Sequence, residues 1–153
     1  MDWNYGRIIM VCSGNICRSP MAQELARLKF EERGLRPMII SMGTLGIVGR
    51  PAEPHAVEAI AQIGGDLSRH SSQALSRGLV DVADVVFGMD ATHMVAIRQC
   101  GTNAFKNSKL LAKYHTPPKA EIWDPVGGSL ADFCFVRDEI SSCLDAWFRT
   151  EVE

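Results

Sequence analysis

The 153-residue sequence lacks several features that would by themselves define a function class. It has no apolar run long enough to cross a membrane and no secretory signal pattern. Its formal net charge is only −2, so charge gives no reason to expect a nucleic acid or an acidic membrane surface as partner. No two cysteines have the Cys-x2-Cys spacing of a zinc site, and neither a metal nor another cofactor is expected.

The five cysteines and the overall composition indicate the compartment and the type of protein. An odd number of cysteines argues against a disulfide scaffold and for a reducing compartment, so a cytoplasmic location is expected. The hydrophobic content of 46% and the charged content of 22% are ordinary for a globular domain. A chain of this length can bury a sizeable core as one domain.

Apolar runs alternate with helical patterns along the chain. Buried strands are predicted over residues 8–11, 38–42, 85–88 and 109–112, and helices over residues 20–33, 54–63, 90–99 and from 129 onward. Gly34 is the predicted C-cap of the first helix, and Ser129 with Asp132 is a predicted capping pair. This alternation predicts an α/β domain with a parallel sheet covered on both faces. Residues 1–6 carry no pattern and are expected to form a loose lead-in to a single domain over residues 7–153.

The most informative segment is residues 11–20, VCSGNICRSP, between the first strand and the first helix. A loop in that place turns backbone N–H groups inward at the positive end of the helix dipole, so it can bind an anion such as phosphate. Gly14 and Asn15 tolerate the dihedral angles of a tight turn. Arg18 has a planar pair of donors that matches two phosphate oxygens.

Cys12 is the candidate nucleophile of this loop. A helix N-terminus and a nearby arginine stabilise a negatively charged sulfur, so a reactive thiolate is expected at neutral pH. Ser19 is predicted to cap the helix ahead of Pro20, and its hydroxyl can also donate to that sulfur. The predicted phosphate-binding residues are Ser13, Gly14, Asn15, Ile16, Cys17 and Ser19.

The segment resembles the signature of the low-molecular-weight protein tyrosine phosphatases, Val-Cys-x-Gly-Asn-Ile-Cys-Arg-Ser-Pro. The resemblance continues through SMGT at residues 41–44, GMD at 88–90 and WDP at 123–125, and it covers about residues 7–149. It implies a three-layer domain with a four-stranded parallel sheet of order 2-1-3-4. It also implies hydrolysis of phosphotyrosine through a phosphocysteine intermediate on Cys12. The expected partner is a phosphorylated protein rather than nucleic acid or a membrane, and the chain is expected to be a monomer.

The resemblance also implies roles for residues outside the loop. Asp124 matches the general acid that protonates the leaving group and then, as the carboxylate, activates water. Arg18 matches the arginine that binds the phosphate. Ser41 and His70 match residues that support the loop together with Asn15. Matching residues also imply that Asp90 lies near the guanidinium of Arg18 and that Cys17 forms a reversible disulfide with Cys12, which would protect Cys12 from irreversible oxidation.

Three alternatives remain open at the level of sequence. Residues 53–59 and 124–129 resemble the bacterial protein arginine phosphatase branch, which has threonine where this chain has Ile16; isoleucine is typical of tyrosine-type members. Tyrosines that often follow the Asp-Pro pair are replaced by residues 126–128, VGG, and an aromatic wall residue by residues 45–47, LGI. An arsenate reductase of the same fold is disfavoured because only Cys100 lies where relay cysteines are needed. A non-catalytic phosphate-binding module is disfavoured by the complete set Cys12, Arg18 and Asp124.

Overall fold

The structure is a computed structural model that describes residues 5–153. The predicted lead-in therefore falls partly outside the described residues, at positions 1–4. Tyr5 packs edge-on against Trp147, with 5.2 Å between the ring centroids. The described elements are β1 (Arg7–Cys12), α1 (Arg18–Glu32), β2 (Met38–Gly43), α2 (Pro54–Ala61), α3 (Arg77–Asp81), β3 (Val85–Gly88), α4 (Ala91–Arg98), α5 (Thr102–Asn107), β4 (Ser108–Leu110), a 3-10 turn (Leu111–Tyr114), α6 (Leu130–Trp147) and a C-terminal π-helical turn (Phe148–Val152).

The four strands form one parallel sheet in the order β2-β1-β3-β4, which confirms the predicted topology. At the carboxyl end of the sheet, Cys12 of β1 lies opposite Gly43 of β2, and Val11 lies opposite Gly88 of β3. Strand order reverses beside β1, because β2 and β3 pair with its two edges. Ligand sites of open α/β sheets form at such a point, and the loop that follows Cys12 begins there.

Successive residues of β1 face two different cores, as the two-residue period of a strand requires. Met10 belongs to the core that contains Trp147 of α6 and the residues of α1. Ile9 and Val11 belong to the core that contains Ile97 of α4. The central strand is therefore covered on both faces, which explains its uninterrupted apolar sequence.

The predicted strands agree with the structure within one residue at each end except for the fourth. Its predicted range, 109–112, is wrong at the end: β4 stops at Leu110, and Leu111 and Ala112 lie in the 3-10 turn. Both residues are fully buried, so the apolar run reflects packing under α6 and not continued pairing in the sheet. The short helices α3 and α5 were not predicted, since five or six residues are too few to show a helical period.

Helix ends follow the predicted capping residues in all but one case. Asp90 caps α4, Ser129 and Asp132 form a capping box on α6, and Gly34, with φ of 72°, terminates α1 in the left-handed conformation. The prediction that Ser19 caps α1 is wrong, because the helix begins at Arg18 and the Ser19 hydroxyl bonds inside the loop instead. Within residues 5–153, no helix is long and apolar enough to span a membrane.

Candidate active site

Cys12 lies at the end of β1, in a pocket of about 190 Å³, and is almost completely buried. The backbone N–H of Asn15 points at its Sγ at 3.3 Å, and the Ser19 Oγ lies 2.9 Å from the same sulfur. The Ser19 Oγ also accepts a hydrogen bond of 2.8 Å from the side-chain amide of Asn15. The hydroxyl hydrogen of Ser19 is therefore free to point to the sulfur, where it stabilises negative charge.

Asn15 holds the loop in shape through both its side chain and its backbone. Its φ of 59° places it in the left-handed region, which asparagine tolerates better than most residues. Its amide donates to Ser19 and, at 2.8 Å, to Ser41, and its Oδ1 accepts from the Gln73 backbone at 2.9 Å. The Nε2 of His70 donates to the Asn15 carbonyl at 2.6 Å. The structure thus brings together the three residues predicted to support the loop.

This network continues beyond the predicted residues. The Ser41 hydroxyl donates to Gln23 Oε1 at 2.7 Å, and the Gln23 amide donates to the Ile39 carbonyl at 3.2 Å. Burial lowers the pKa of His70, more than the bond to the Asn15 carbonyl raises it, so the ring is neutral at pH 7. Gln23 was not predicted, because its role depends on the packing of α1 against β2.

Gly43 is a second contact that the sequence did not reveal. A Cβ at this position would lie 2.7 Å from the Ser13 carbonyl oxygen and 3.0 Å from the Asn15 Cβ. The backbone N–H groups of Thr44 and Leu45 also donate to the carbonyls of Cys12 and Ser13, each at 3.0 Å. Glycine at the end of β2 therefore lets the loop after Cys12 lie directly against the neighbouring strand.

Arg18 is buried, and several groups hold its guanidinium. Nη1 donates to the Ile122 carbonyl at 3.0 Å and lies 3.7 Å from Asp90 Oδ2. Nη2 lies 3.3 Å from Ser13 Oγ and 3.5 Å from Asp124 Oδ2. Ser13 follows β1, Asp90 follows β3, and Ile122 and Asp124 precede α6. Three separate segments of the chain therefore contact the Arg18 guanidinium.

Asp90 and His93 lie beside this guanidinium at the start of α4. Burial raises the pKa of Asp90, but hydrogen bonds from Thr92 and from the His93 backbone outweigh it, so the pKa lies below its usual range. His93 is fully buried, and its Nε2 lies 2.9 Å from Ser13 Oγ. Burial, together with the charge of Arg18, lowers the pKa of His93 to about 4 although Asp90 raises it. His93 was not predicted as a site residue. Its position three residues after Asp90, which caps α4, is the feature of the sequence that could have pointed to it.

Asp124 lies at the mouth of the pocket with its side chain 40% exposed. Its Oδ1 accepts the Val126 N–H at 3.1 Å, which fixes the turn that begins at Pro125.

Cys17 lines the same pocket, and burial, followed by the charge of Asp124, raises the pKa of its thiol to about 12. Cys17 is therefore protonated at neutral pH.

Four aliphatic side chains line the pocket: Ile16, Leu45, Ile47 and Val126. We call Leu45, Ile47 and Val126 the rim, whereas Ile16 is buried. None of the described residues that line the pocket is aromatic. Trp123, next to Asp124, is about half exposed but is not part of the lining. In the described part of the chain, no three His, Cys, Asp or Glu side chains lie close enough together to hold a metal ion.

Comparisons with known proteins agree with this geometry. The family model described as low molecular weight phosphotyrosine protein phosphatase matches residues 7–153. A protein-arginine-phosphatase of Bacillus subtilis (strain 168) is 35% identical over 137 residues, 90% of this chain and 91% of that protein. A probable low molecular weight protein-tyrosine-phosphatase, EpsP of Ralstonia nicotianae, is 36% identical over 140 residues, 92% of each chain.

A solved structure extends the likeness to the fold. The crystal structure of a YwlE mutant from Bacillus subtilis superimposes with a TM-score of 0.86 at 32% identity, over 96% of this chain and 99% of that one. The residues that the family model matches include every residue that lines the pocket, from Cys12 to Val126. The chain therefore belongs to the low molecular weight protein tyrosine phosphatase family of hydrolases, which also includes relatives named as arginine phosphatases.

Proposed function

We propose that this chain is a protein tyrosine phosphatase that transfers the phosphoryl group of phosphotyrosine to Cys12 and then to water. The observation that carries the proposal is the common pocket of Cys12, Arg18 and Asp124, with the sulfur at the bottom and the carboxyl group at the mouth. A phosphate monoester that enters phosphate-first would place its phosphorus over the sulfur and its ester oxygen near Asp124.

In the first step, the Cys12 sulfur attacks phosphorus, and the bond between phosphorus and the tyrosine oxygen breaks. Asp124 gives its proton to that oxygen, so tyrosine leaves as a neutral phenol. Arg18 and the loop N–H groups bind the phosphoryl oxygens, on which negative charge is spread in the transition state. The Ser19 hydroxyl, 2.9 Å from the sulfur, stabilises the thiolate before attack.

In the second step, the Asp124 carboxylate takes a proton from water, and the water oxygen attacks phosphorus. The bond between sulfur and phosphorus breaks, and Cys12 leaves as a thiolate that the Ser19 hydroxyl again stabilises. Inorganic phosphate leaves the pocket, and Asp124 is protonated for the next cycle. The half-exposed position of Asp124 supports both roles because water and leaving group reach it from the mouth.

The walls above the phosphate site support an aromatic substrate. Ile16, Leu45, Ile47 and Val126 present aliphatic carbon to the space through which the substrate side chain must pass. A phenyl ring is stabilised by such walls, whereas the polar guanidinium of phosphoarginine would lose hydrogen bonds to water there. Ile16 is buried and lines the pocket in the loop between Cys12 and Arg18, so we expect it to contact the substrate side chain close to the phosphate.

Arginine phosphatase activity is the second candidate, favoured by the protein-arginine-phosphatase of B. subtilis, by a solved structure named as YwlE arginine phosphatase and by residues 124–129, DPVGGS. The half-exposed Asp124 carboxylate is the group at the mouth that would pair with a guanidinium. The other acidic side chain near Arg18, Asp90, already accepts hydrogen bonds from Thr92 and from the His93 backbone. In this second candidate, Asp124 would therefore be the acidic group that pairs with the substrate guanidinium.

Two further alternatives have less support. Arsenate reduction would need cysteines that exchange with Cys12, but Cys100 packs against the core on the opposite face of the sheet. A non-catalytic phosphate-binding module would not turn over a chromogenic aryl phosphate, and we expect turnover.

All five cysteines are free thiols, which supports a reducing, cytoplasmic location.

The decisive experiment compares kcat/KM for two peptides of equal sequence, one with phosphotyrosine and one with phosphoarginine. The wild-type protein should prefer phosphotyrosine, and Ile16→Thr should shift the ratio toward phosphoarginine. Ile47→Thr is the matched control, because it makes the same change on another wall of the pocket. If the wild-type protein prefers phosphoarginine, the second candidate replaces the first.

The cysteine pair adds a proposed redox response. Hydrogen peroxide would oxidise the Cys12 thiolate to a sulfenic acid, and Cys17 would then displace water to form a disulfide. Because the thiol of Cys17 has a pKa raised to about 12 by burial, this second step should be slow at pH 7 and faster at higher pH. After prolonged exposure to excess peroxide, a thiol reductant should restore activity to the wild type but not to Cys17→Ser, in which the Cys12 sulfenic acid is oxidised further by peroxide to a sulfinic acid that thiols do not reduce; equal recovery would contradict the pair.

A further inference from the structure

His93 is a buried polar side chain to which the two-step chemistry assigns no role. Its Nδ1 lies 3.2 Å from the backbone nitrogens of Met89 and Asp90. Backbone N–H groups only donate, so Nδ1 accepts both bonds and carries no hydrogen. The hydrogen of the neutral ring is therefore on Nε2, which donates to Ser13 Oγ at 2.9 Å. The tautomer is thus fixed by the backbone at the start of α4.

Ser13 joins this ring to the phosphate-binding arginine. Its Oγ accepts from His93 Nε2 on one side and from Arg18 Nη2, at 3.3 Å, on the other. A hydroxyl oxygen has two lone pairs, and these two donors occupy both. Ser13 follows Cys12 directly and lines the same pocket, so the contact lies beside the reacting atoms.

The geometry around α4 allows this contact only because the helix packs closely on β3. A Cβ at Gly88 would lie 2.8 Å from Met94 Sδ and 3.1 Å from His93 Cβ. The start of α4 therefore places two groups near the Arg18 guanidinium. The Asp90 carboxylate lies near Nη1, and the His93 ring contacts Nη2 through the Ser13 hydroxyl.

We propose that His93 is a positioning residue for phosphoryl transfer, which holds the Arg18 guanidinium through the Ser13 hydroxyl. The inference rests on the proposed function of Arg18 in binding phosphate. A neutral ring suits this role, because a protonated His93 would point a hydrogen from Nδ1 at two backbone N–H groups and add positive charge beside Arg18. The charged groups that face the ring are Asp90, Arg18 and, more weakly, Asp124.

A double-mutant cycle tests the chain of contacts. Ser13→Ala and His93→Leu should each lower kcat/KM for an aryl phosphate by about tenfold, the lower end of the effect of a hydrogen bond to a charged group. The double variant should be no worse than either single variant within about twofold, because both changes break one path. His93→Gln keeps an acceptor for the N-cap and a donor for Ser13, and it should restore most of the activity.

The second readout is the affinity for inorganic phosphate, measured by calorimetry, which does not depend on turnover. Ser13→Ala and His93→Leu should weaken phosphate binding, whereas Ser76→Ala, which removes the cap of the distant helix α3, should not. If His93→Leu fails to fold, Ser13→Ala and His93→Gln still carry the test. Losses that multiply in the double variant, or wild-type phosphate affinity in Ser13→Ala, would overturn the inference even if Cys12 proves essential.

Discussion

The bottom and the rim of the pocket are held by different kinds of contact. At the bottom, Asn15 makes four side-chain or carbonyl hydrogen bonds, and the Arg18 guanidinium contacts four groups. At the rim, Leu45 and Val126 are 66% and 55% exposed. Many hydrogen bonds therefore hold the bottom in one arrangement, which suits the proposed phosphate chemistry. Side chains at the rim can be replaced with little loss of folding free energy. Substrate choice is expected to depend on the rim and on Ile16, where the two regions meet.

The largest effect is expected from the bottom of the pocket. Cys12→Ser should lower kcat by about four orders of magnitude or more, because a serine hydroxyl is far harder to ionise than a thiol. Phosphate binding should persist, since Arg18 and the loop remain. Steady-state rates on an aryl phosphate, with phosphate affinity as the control, measure both; residual turnover above roughly 3% of wild type would contradict the assignment.

Asp124 connects the bottom to the rim, and its effect should depend on the substrate. Asp124→Asn should slow hydrolysis of phenyl phosphate by roughly 10²- to 10⁴-fold, because phenol needs a proton to leave. An aryl phosphate with an acidic phenol should be slowed much less. Glu121→Gln, an exposed neutralisation nearby, is the control. An equal loss for both leaving groups would mean that Asp124 shapes the loop and transfers no proton.

The buried histidine at the bottom should appear in the pH dependence of stability. The pKa of His93 is lowered from 6.5 to about 4 by burial, so between these values the unfolded chain binds a proton that the folded chain does not. Stability is then complete above pH 6.5 and falls as the pH drops toward 4, by about 3 kcal/mol at most. Urea unfolding at several pH values should show a shallower fall in His93→Gln, whereas His55→Gln, an exposed control, should follow the wild type. Parallel curves for all three proteins would refute this account.

The sequence predicted the bottom of the pocket better than its surroundings. Residues 12–19 are contiguous, so the loop could be recognised before its geometry was known, and Asp90 and Ser129 act through local capping rules. His93 contacts Ser13 across 80 positions of the chain, and Gln73 contacts Asn15 across 58, so only the fold brings them together. The cap role expected of Ser19 is wrong because the local capping rule could not anticipate the Asn15 amide, whereas the expected contact of its hydroxyl with the Cys12 sulfur is present.

The smallest effect is expected at the rim. Leu45→Ser and Val126→Ser should each raise KM for a phosphotyrosine peptide by about three- to tenfold, as expected for the loss of about 1 kcal/mol of apolar contact. Both side chains are more than half exposed, so the free energy of unfolding should change little. Steady-state kinetics and thermal unfolding check both expectations. A large loss of stability in either variant would show that the rim is as constrained as the bottom.

The central claim is that the phosphoryl group passes through the sulfur of Cys12. The direct measurement uses Asp124→Asn, which should accumulate the intermediate because water is no longer activated, together with an aryl phosphate whose phenol is acidic enough to leave unaided. After rapid acid quench, mass spectrometry of the digested protein should find one added phosphate on the peptide that contains Cys12, and none in Cys12→Ser. Phosphate on another residue, or full turnover with no labelled peptide at any quench time, would contradict the account.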